Sequence, residues 1–409
     1  MNLPQAFIER TRQLLGEDIY PQFEEALQTD TPVSIRPNRM KCTQEVEGEP
    51  ILWATSGIYL KNRPTFTFDP LFHAGCYYVQ EASSMFVERV LMEYVKEPVV
   101  MLDLCAAPGG KSTLSRGVLP QGSLLVANEV MRNRSQILAE NLIKWGHPEV
   151  VVTNNDPADF TELAHLFDVI LTDVPCSGEG MFRKDPVAVE EWSIENVDIC
   201  WKRQRRILAD IWPSLKPGGL LIYSTCTFNS EEDEDNVAWI AKELGAEILP
   251  VSIEESWGIT GNLTGKDFPV YRFLPHKTKG EGFFLAVLKK HGDVLQNSEA
   301  NKDTEFGKKV LTYLQKNVSA QITSRNAANE LYMNHSYFCR LFKKTFGCPF
   351  AKYVLIYRLE KARIRLTNTE QSVTEIAFRL GFHNCSYFGK AFKERFHTSP
   401  LAYRKSRTE

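Results

Sequence analysis

The chain has 409 residues, 43% hydrophobic and 24% charged, which supplies apolar material for more than one core and excludes a disordered or low-complexity protein. No apolar run approaches membrane-spanning length, and the start, MNLPQAFIERTRQLLGED, has no basic stretch leading into an apolar one, so a cytoplasmic protein is expected. The formal net charge is −3, and the 9 cysteines are scattered without a C-x-x-C pair or a zinc-site spacing, which argues against a disulfide framework and a metal centre.

In chain order, residues 1–98 mix helical and extended patterns, including VSIRPNR and YYVQEASSMFVERVL, and read as a small α+β domain. Residues 99–290 alternate short apolar runs with helical patterns. VVMLDL, SLLVANE, EVVVTNND, FDVILTDVP and GGLLIYST read as buried strands, which predicts a parallel α/β sheet, and GFFLAVLKK is expected as a final edge strand. Residues 291–307, HGDVLQNSEANKDTEFG, are polar and turn-rich and read as a linker. Residues 308–409 are wholly helical and repeat: SYFCRLFKKTF at Ser336–Phe346 recurs as SYFGKAFKERF at Ser386–Phe396. Charge divides along the same line. From Lys302 to Glu409 there are 20 Lys and Arg against 8 Asp and Glu, and the rest carries 28 against 43, so the basic end is the expected nucleic-acid partner surface.

The stretch LDLCAAPGGKST places a strand, a loop of small residues with two glycines, and a helix start in succession. Such a loop lets backbone approach a ligand closely, with helix N–H groups aimed at its polar parts. It has neither the glycine a P-loop needs at Cys105 nor a G-x-G-x-x-G fingerprint. Glu129 after the second strand and Asp156 after the third are positioned for ribose hydroxyls and an adenine amino group. With no phosphate site evident, S-adenosylmethionine is the expected cofactor.

The fourth and fifth strands end in TDVPCSGEG and YSTCT, carrying Cys176 and Cys226 to the same sheet edge among polar neighbours. A thiol beside a methyl donor suits cytosine carbon 5, which is too weak a nucleophile until a thiolate adds to carbon 6. A base must then remove the carbon 5 proton, and a second thiol suits that task. Asp173 is placed to bind the ring, and Lys111, Arg183 and Lys184 are the cations that could lower a thiol pKa. Either cysteine fits the nucleophile at this point. The acids after Cys226, EEDEDN, read as a solvated helix start capped by Ser230.

VSIRPN, YVQEASSMF, LDLCAAPGGKST, NEV, DVPCSGEGMFRKDP, STCTFNSEEDEDNV and LPHKTKGEGFFLAVLKK together resemble the Sun/Fmu-type RNA cytosine-5 methyltransferases, and among these the bacterial RsmF group that modifies 16S ribosomal RNA in the small subunit. The resemblance covers about Met1 to Lys290. It implies a class I, Rossmann-like methyltransferase fold with a mostly parallel sheet and an N-terminal domain that assists RNA binding. It implies Cys226 as the nucleophile, Cys176 as the thiol that assists release, and Asp173 as a third catalytic group. Cys105, Ala106, Ala107, Pro108, Gly109, Gly110 and Lys111, with Glu129, Asp156 and Asp173, are then the cofactor-binding residues.

In the second basic repeat, Ile376, Ala377 and Leu380 face inward, Gly381 makes a turn, and Phe388, Phe392 and Phe396 form an apolar stripe, which reads as a helix-turn-helix. The opposite face offers His383, Asn384, Ser386 and Lys390, matched by Asn334, His335, Ser336 and Arg340 in the first repeat. Lys343, Lys344 and Lys393 suit phosphates. Residues 308–407, with VTEIAFRLGF and FHTSPLAYRK, resemble AraC-type DNA-binding domains, except that Tyr332 stands where the first turn glycine is expected. The reading is an RNA cytosine-5 methyltransferase joined to an all-α tandem helix-turn-helix module that binds nucleic acid, DNA in the first instance. The alternatives are a transcription regulator whose methyltransferase region senses the methyl donor, and a DNA-directed methyltransferase.

Overall fold

The computed structural model describes residues 2–42, 46–291, 305–320, 322–346, 348–369, 371–396 and 398–405. The chain divides into two compact units, Met1–His291 and Gly292–Glu409. Of the expected linker, residues 292–304 lie outside the described residues, and a helix, Glu305–Asn317, begins before the expected boundary at 308.

The first unit contains two sheets. Strands β1 (Val33–Pro37), β2 (Glu49–Pro50), β3 (Ile58–Leu60) and β4 (Tyr77–Val79) form a small antiparallel sheet in the order β2-β3-β1-β4. The large sheet uses β5 (Val100–Asp103), β6 (Leu124–Asn128), β7 (Val150–Thr153), β8 (Phe167–Asp173), β9 (Leu215–Thr225), β10 (Ala246–Leu249), β11 (Tyr271–Phe273) and β12 (Phe283–Lys290). Its order is β10-β12-β9-β8-β5-β6-β7, with β11 also paired to β12. From β9 to β7 all neighbours are parallel, and β10, β11 and β12 add antiparallel pairs. The expected parallel α/β core is therefore present within a mixed sheet.

Continuous apolar runs mark strands covered on both faces. Along β8, Val169 and Leu171 join one core cluster while Ile170 joins the other, as a period of two requires. The same alternation sends Leu285 and Val287 of β12 to one face and Phe284, Ala286 and Leu288 to the other. β12 is not an edge strand, contrary to the sequence reading: it lies between β9 and β10, and full burial of Phe283 to Leu288 is the consequence.

The second unit is helical. Helices Ser324–Glu330 and His335–Phe346 form the first helix-turn-helix, and Val373–Arg379 and Cys385–Phe396 the second. The long helix Phe350–Asn368 lies between them in sequence and serves both cores, giving Phe350, Tyr353 and Val354 to one and Leu359, Ala362 and Leu366 to the other. Ile376, Ala377, Leu380, Phe388 and Phe392 are buried as expected, with Phe396 packed against them.

Gly381 turns with φ +76°, and Tyr332 makes the corresponding turn with φ +53° while 98% exposed. A side chain in that left-handed region costs roughly 1–2 kcal/mol and Tyr332 recovers little by burial. Tyr332→Gly is expected to stabilise this unit by about 0.5–1 kcal/mol after the added freedom of the unfolded chain is allowed for, seen as a higher urea midpoint.

Candidate active site

The loop after β5 is stitched across the sheet edge: Leu104 N–H donates to Leu171 O (2.9 Å) and Ala106 N–H to Asn128 O (2.8 Å). Gly109, at φ +111°, turns the chain into helix Gly110–Val118. The small sheet braces that helix through Arg36 of VSIRPN, whose guanidinium is buried. It donates to Gln80 Oε1 (2.9 Å) and Thr113 Oγ1 (2.6 Å) and lies 4.4 Å over the Trp145 ring. Burial pushes the Asp103 carboxyl up to about 7 against the hydrogen bond it accepts from Ser112 (2.6 Å). Burial also pushes the Cys105 thiol up, so it remains protonated and is no nucleophile.

β8 and β9 are parallel neighbours with Asp173 opposite Ser224, so the turns that follow run side by side. They bring Cys176 Sγ and Cys226 Sγ to 3.0 Å. The hydrogen bond to Cys226, then burial and the Cys226 and Glu232 charges, raise the Cys176 thiol well above its ordinary value. Lys111 Nζ sits 2.8 Å from Asp173 Oδ2. Burial works against the Lys111 charge, but Asp173, Asp103 and Cys226 outweigh it and its pKa is raised. Of the three cations named from sequence, Lys111 and Lys184 share the cavity wall with Cys226, Lys184 lying 3.2 Å from Glu281, while Arg183 donates to Ala26 O and Gly280 O. Ser224 Oγ donates to Asp173 Oδ1 (2.8 Å) and fixes that carboxylate.

One cavity of about 330 Å³ is lined by Cys105, Ala106, Ala107, Pro108, Gly110, Lys111, Asp173 and Cys226. Its remaining wall comes from Tyr78 to Glu81, Ser84, Gly180, Met181, Lys184 and Glu281 to Phe283. Sequence reasoning did not assign Gln80, Glu81, Ser84 or Glu281 to this place. Polar side chains inside YVQEASSMF and KGEGFF were the available signal. Glu129 and Asp156 lie outside this lining. Glu129 is nearly buried after β6, accepting from Met131 N–H (3.0 Å) beside Arg134 (3.4 Å). Asp156 caps the turn Pro157–Glu162 by accepting from Ala158 N–H (3.0 Å).

The acids after Cys226 are not a solvated helix start. The helix begins at Glu234, Ser230 does not cap it, and Glu232, Asp233 and Glu234 are completely buried. Arg272 on β11 compensates two of them, with Nε 2.8 Å from Glu234 Oε1 and Nη1 3.1 Å from Asp233 Oδ2. Thr225 donates to Asp233 (2.6 Å). Glu179 is buried as well and accepts from Thr227 Oγ1 (2.6 Å), Phe228 N–H (2.7 Å), Asn229 N–H (3.0 Å) and Trp192 Nε1 (3.0 Å). These carboxylates tie the Cys226 turn to the Cys176 turn.

The two turns touch directly where Gly180 N–H donates to Cys226 O (2.9 Å). A Cβ at Gly180 would stand 3.0 Å from both Cys226 O and Gly282 O. Gly180→Ala is expected to cost about 1–3 kcal/mol in thermal unfolding. Because Cys226 O is one of the crowded atoms, the displacement falls on the Cys226 turn.

In the helical unit, Ser336, Arg340, Lys343, His383, Ser386, Lys390 and Lys393 are exposed, and the side chain of Lys344 lies outside the described residues. Asn334 and Asn384 are occupied as caps, accepting from Ser336 N–H (3.0 Å) and Ser386 N–H (2.7 Å). His335 is half-buried against Ser324 Oγ (2.9 Å).

Comparison with known proteins matches residues 90–289 to the family of 16S rRNA methyltransferase RsmB/F and residues 3–82 to the N-terminal domain of 16S rRNA methyltransferase RsmF. Residues 327–406 match a helix-turn-helix domain. Ribosomal RNA small subunit methyltransferase F of Serratia proteamaculans is 33% identical over 347 residues, covering 80% of this chain and 71% of that one. The protein of the same name from Pectobacterium atrosepticum is 33% identical over 309 residues, 72% of this chain, and the chain spans 64% of that relative's length. A solved methyltransferase homolog protein from Pyrococcus horikoshii is 28% identical with a TM-score of 0.60, covering 70% of this chain and 95% of that one. NSun6 from Pyrococcus horikoshii, solved with SFG, shares the fold at 21% identity and a TM-score of 0.62, covering 71% of this chain and 99% of that one. The chain belongs to the RsmB/F family of 16S rRNA methyltransferases, and a helix-turn-helix domain follows its methyltransferase region.

Proposed function

We propose that this chain methylates carbon 5 of a cytosine in RNA, with 16S ribosomal RNA of the small subunit as substrate, S-adenosylmethionine as methyl donor and Cys226 as nucleophile. The observation that carries the reading is that Cys226 and the Lys111–Asp173 pair share one cavity with the glycine loop, while Cys176, outside that lining, reaches Cys226 at 3.0 Å. The donor suits this chain: small residues Ala106, Ala107 and Gly110 leave room along the cavity, Asp173 supplies an acceptor in its wall, and Glu129 and Asp156, outside that lining, follow β6 and β7 as acceptors for hydroxyl and amino groups. Cys105 to Lys111 with those acids would hold it. When bound it supplies an electrophilic methyl group on a positively charged sulfonium.

Cys226, in contact with Cys176, attacks carbon 6 as thiolate. The sulfur–carbon 6 bond forms and the carbon 5–carbon 6 electron pair moves to carbon 5 and, by conjugation, ring nitrogen 3, where the Lys111 ammonium stabilises the negative charge while the Asp173 carboxylate accepts from the exocyclic amino group. Carbon 5 is then the nucleophile for methyl transfer. Conversion of Cys226 to a thioether removes one of the charges that raise the Cys176 thiol, and Cys176, as a thiolate formed by loss of its proton to solvent, takes the carbon 5 proton. The carbon 5 electron pair restores the double bond and the carbon 6–sulfur bond breaks, with its pair returning to Cys226.

The exposed basic faces of helices His335–Phe346 and Cys385–Phe396 support nucleic-acid binding by the second unit, with duplex DNA as the ligand. The full chain with labelled donor should label small ribosomal subunits and leave duplex DNA unlabelled. Label confined to duplex DNA, or to tRNA, overturns the substrate assignment.

A further inference from the structure

Glu232 is a fully buried carboxylate with no ion-pair partner among the described residues. Its oxygens accept from the Ser177 backbone N–H (3.1 and 3.3 Å), Gln204 Nε2 (2.6 Å) and Asn229 Nδ2 (2.9 Å). The Ser177 N–H belongs to the peptide that follows Cys176. Gln204 closes a ring by donating to Pro175 O as well (3.0 Å). Glu232 itself is tied to the Cys226 turn, since its N–H donates to Asn229 Oδ1 (3.0 Å) and its carbonyl accepts from Tyr223 OH (2.5 Å). Burying an acid among donors alone is costly, and such a group persists where its geometry is needed.

We infer that Glu232 is a positioning residue for the release step: from the Cys226 turn it holds the Cys176–Ser177 peptide, and so keeps the Cys176 thiol within reach of the adduct. The inference rests on the release role proposed above for Cys176. That step removes the carbon 5 proton, reforms the carbon 5–carbon 6 double bond and returns the sulfur–carbon pair to Cys226. If the Cys176 turn drifts while Cys226 still attacks, the chain stalls with RNA attached.

The test compares full-length variants incubated with small ribosomal subunits and methyl donor, followed by denaturing electrophoresis for protein–RNA adduct. Glu232→Ala should accumulate adduct at least about tenfold over the unaltered chain, as Cys176→Ala does. Adding Cys226→Ala should remove it, which a general loss of fold would not reproduce. Glu232→Gln, whose amide oxygen still accepts from Ser177 N–H, should hold far less adduct than Glu232→Ala. Should Glu232→Ala melt below the assay temperature, Glu232→Asp, one methylene shorter, should hold an intermediate amount. Adduct at the unaltered level in the folded Glu232 variant, alongside trapped adduct in Cys176→Ala, overturns the inference. Absence of adduct in Cys176→Ala removes the release role itself and the inference with it.

Discussion

Cys226→Ala is expected to abolish methyl transfer to RNA, by at least about 10³-fold in initial rate, while melting within a few degrees of the unaltered chain. Without the sulfur–carbon 6 bond, carbon 5 stays part of an electron-poor aromatic ring, and neither Lys111 nor Asp173 makes it nucleophilic. The cysteine is half-buried at the end of β9, so truncating it removes one sulfur and little packing. Cys176→Ala should behave differently. On the proposed roles it keeps the nucleophile and loses the release thiol, so turnover should fall and a covalent protein–RNA species should resist denaturation. Unchanged labelling by Cys226→Ala would contradict the assignment, as would two variants with the same phenotype.

Arg272→Ala is expected to destabilise the first unit by about 3–5 kcal/mol, because it strands buried carboxylates instead of removing a complete ion pair. Arg272 is 1% exposed and Asp233 and Glu234 are 0% exposed, so water does not replace the lost cation. Arg272 Nη1 also donates to Phe228 O (2.9 Å), two residues beyond Cys226, so the loosened region includes the Cys226 turn. The pH dependence has a defined sign. Burial already holds the Asp233 carboxyl well above its ordinary value, opposed by Arg272. Without Arg272 the folded state binds protons that the unfolded state has released, so stability of the variant falls as pH rises from the ordinary aspartate range toward 7. Urea unfolding at acid and neutral pH checks this. A loss under about 1 kcal/mol, or a deficit that grows toward acid pH, would contradict it.

The β5–β9 core was legible because strands covered on both faces must be apolar throughout, and VVMLDL or FDVILTDVP admits few other readings. The two cysteines were legible for the same reason, since chain order places the ends of parallel strands on one edge. The acidic run was misread because charge density ordinarily signals solvent. Its burial depends on Arg272, which comes later in the chain, and on donors such as Gln204 in another helix, and no local pattern records either. The position of β12 was misjudged because an apolar strand does not reveal that β10 pairs outside it. That Asn334 and Asn384 cap their helices was not legible, because a cap and a base-reading residue share a chemistry and only the bonds from Ser336 and Ser386 show which hydrogen-bonding capacity is already used. Tyr332 was legible as a departure, and its positive φ shows that the turn keeps its shape without glycine.

The most direct measurement is the identity of the methylated nucleoside. Small ribosomal subunits labelled by the full chain with isotopic methyl donor are digested to nucleosides and resolved by chromatography and mass spectrometry. Label that elutes as 5-methylcytidine and disappears with Cys226→Ala is the predicted result. Label on a ribose oxygen, on an exocyclic nitrogen or on uridine would contradict thiolate chemistry at cytosine carbon 5.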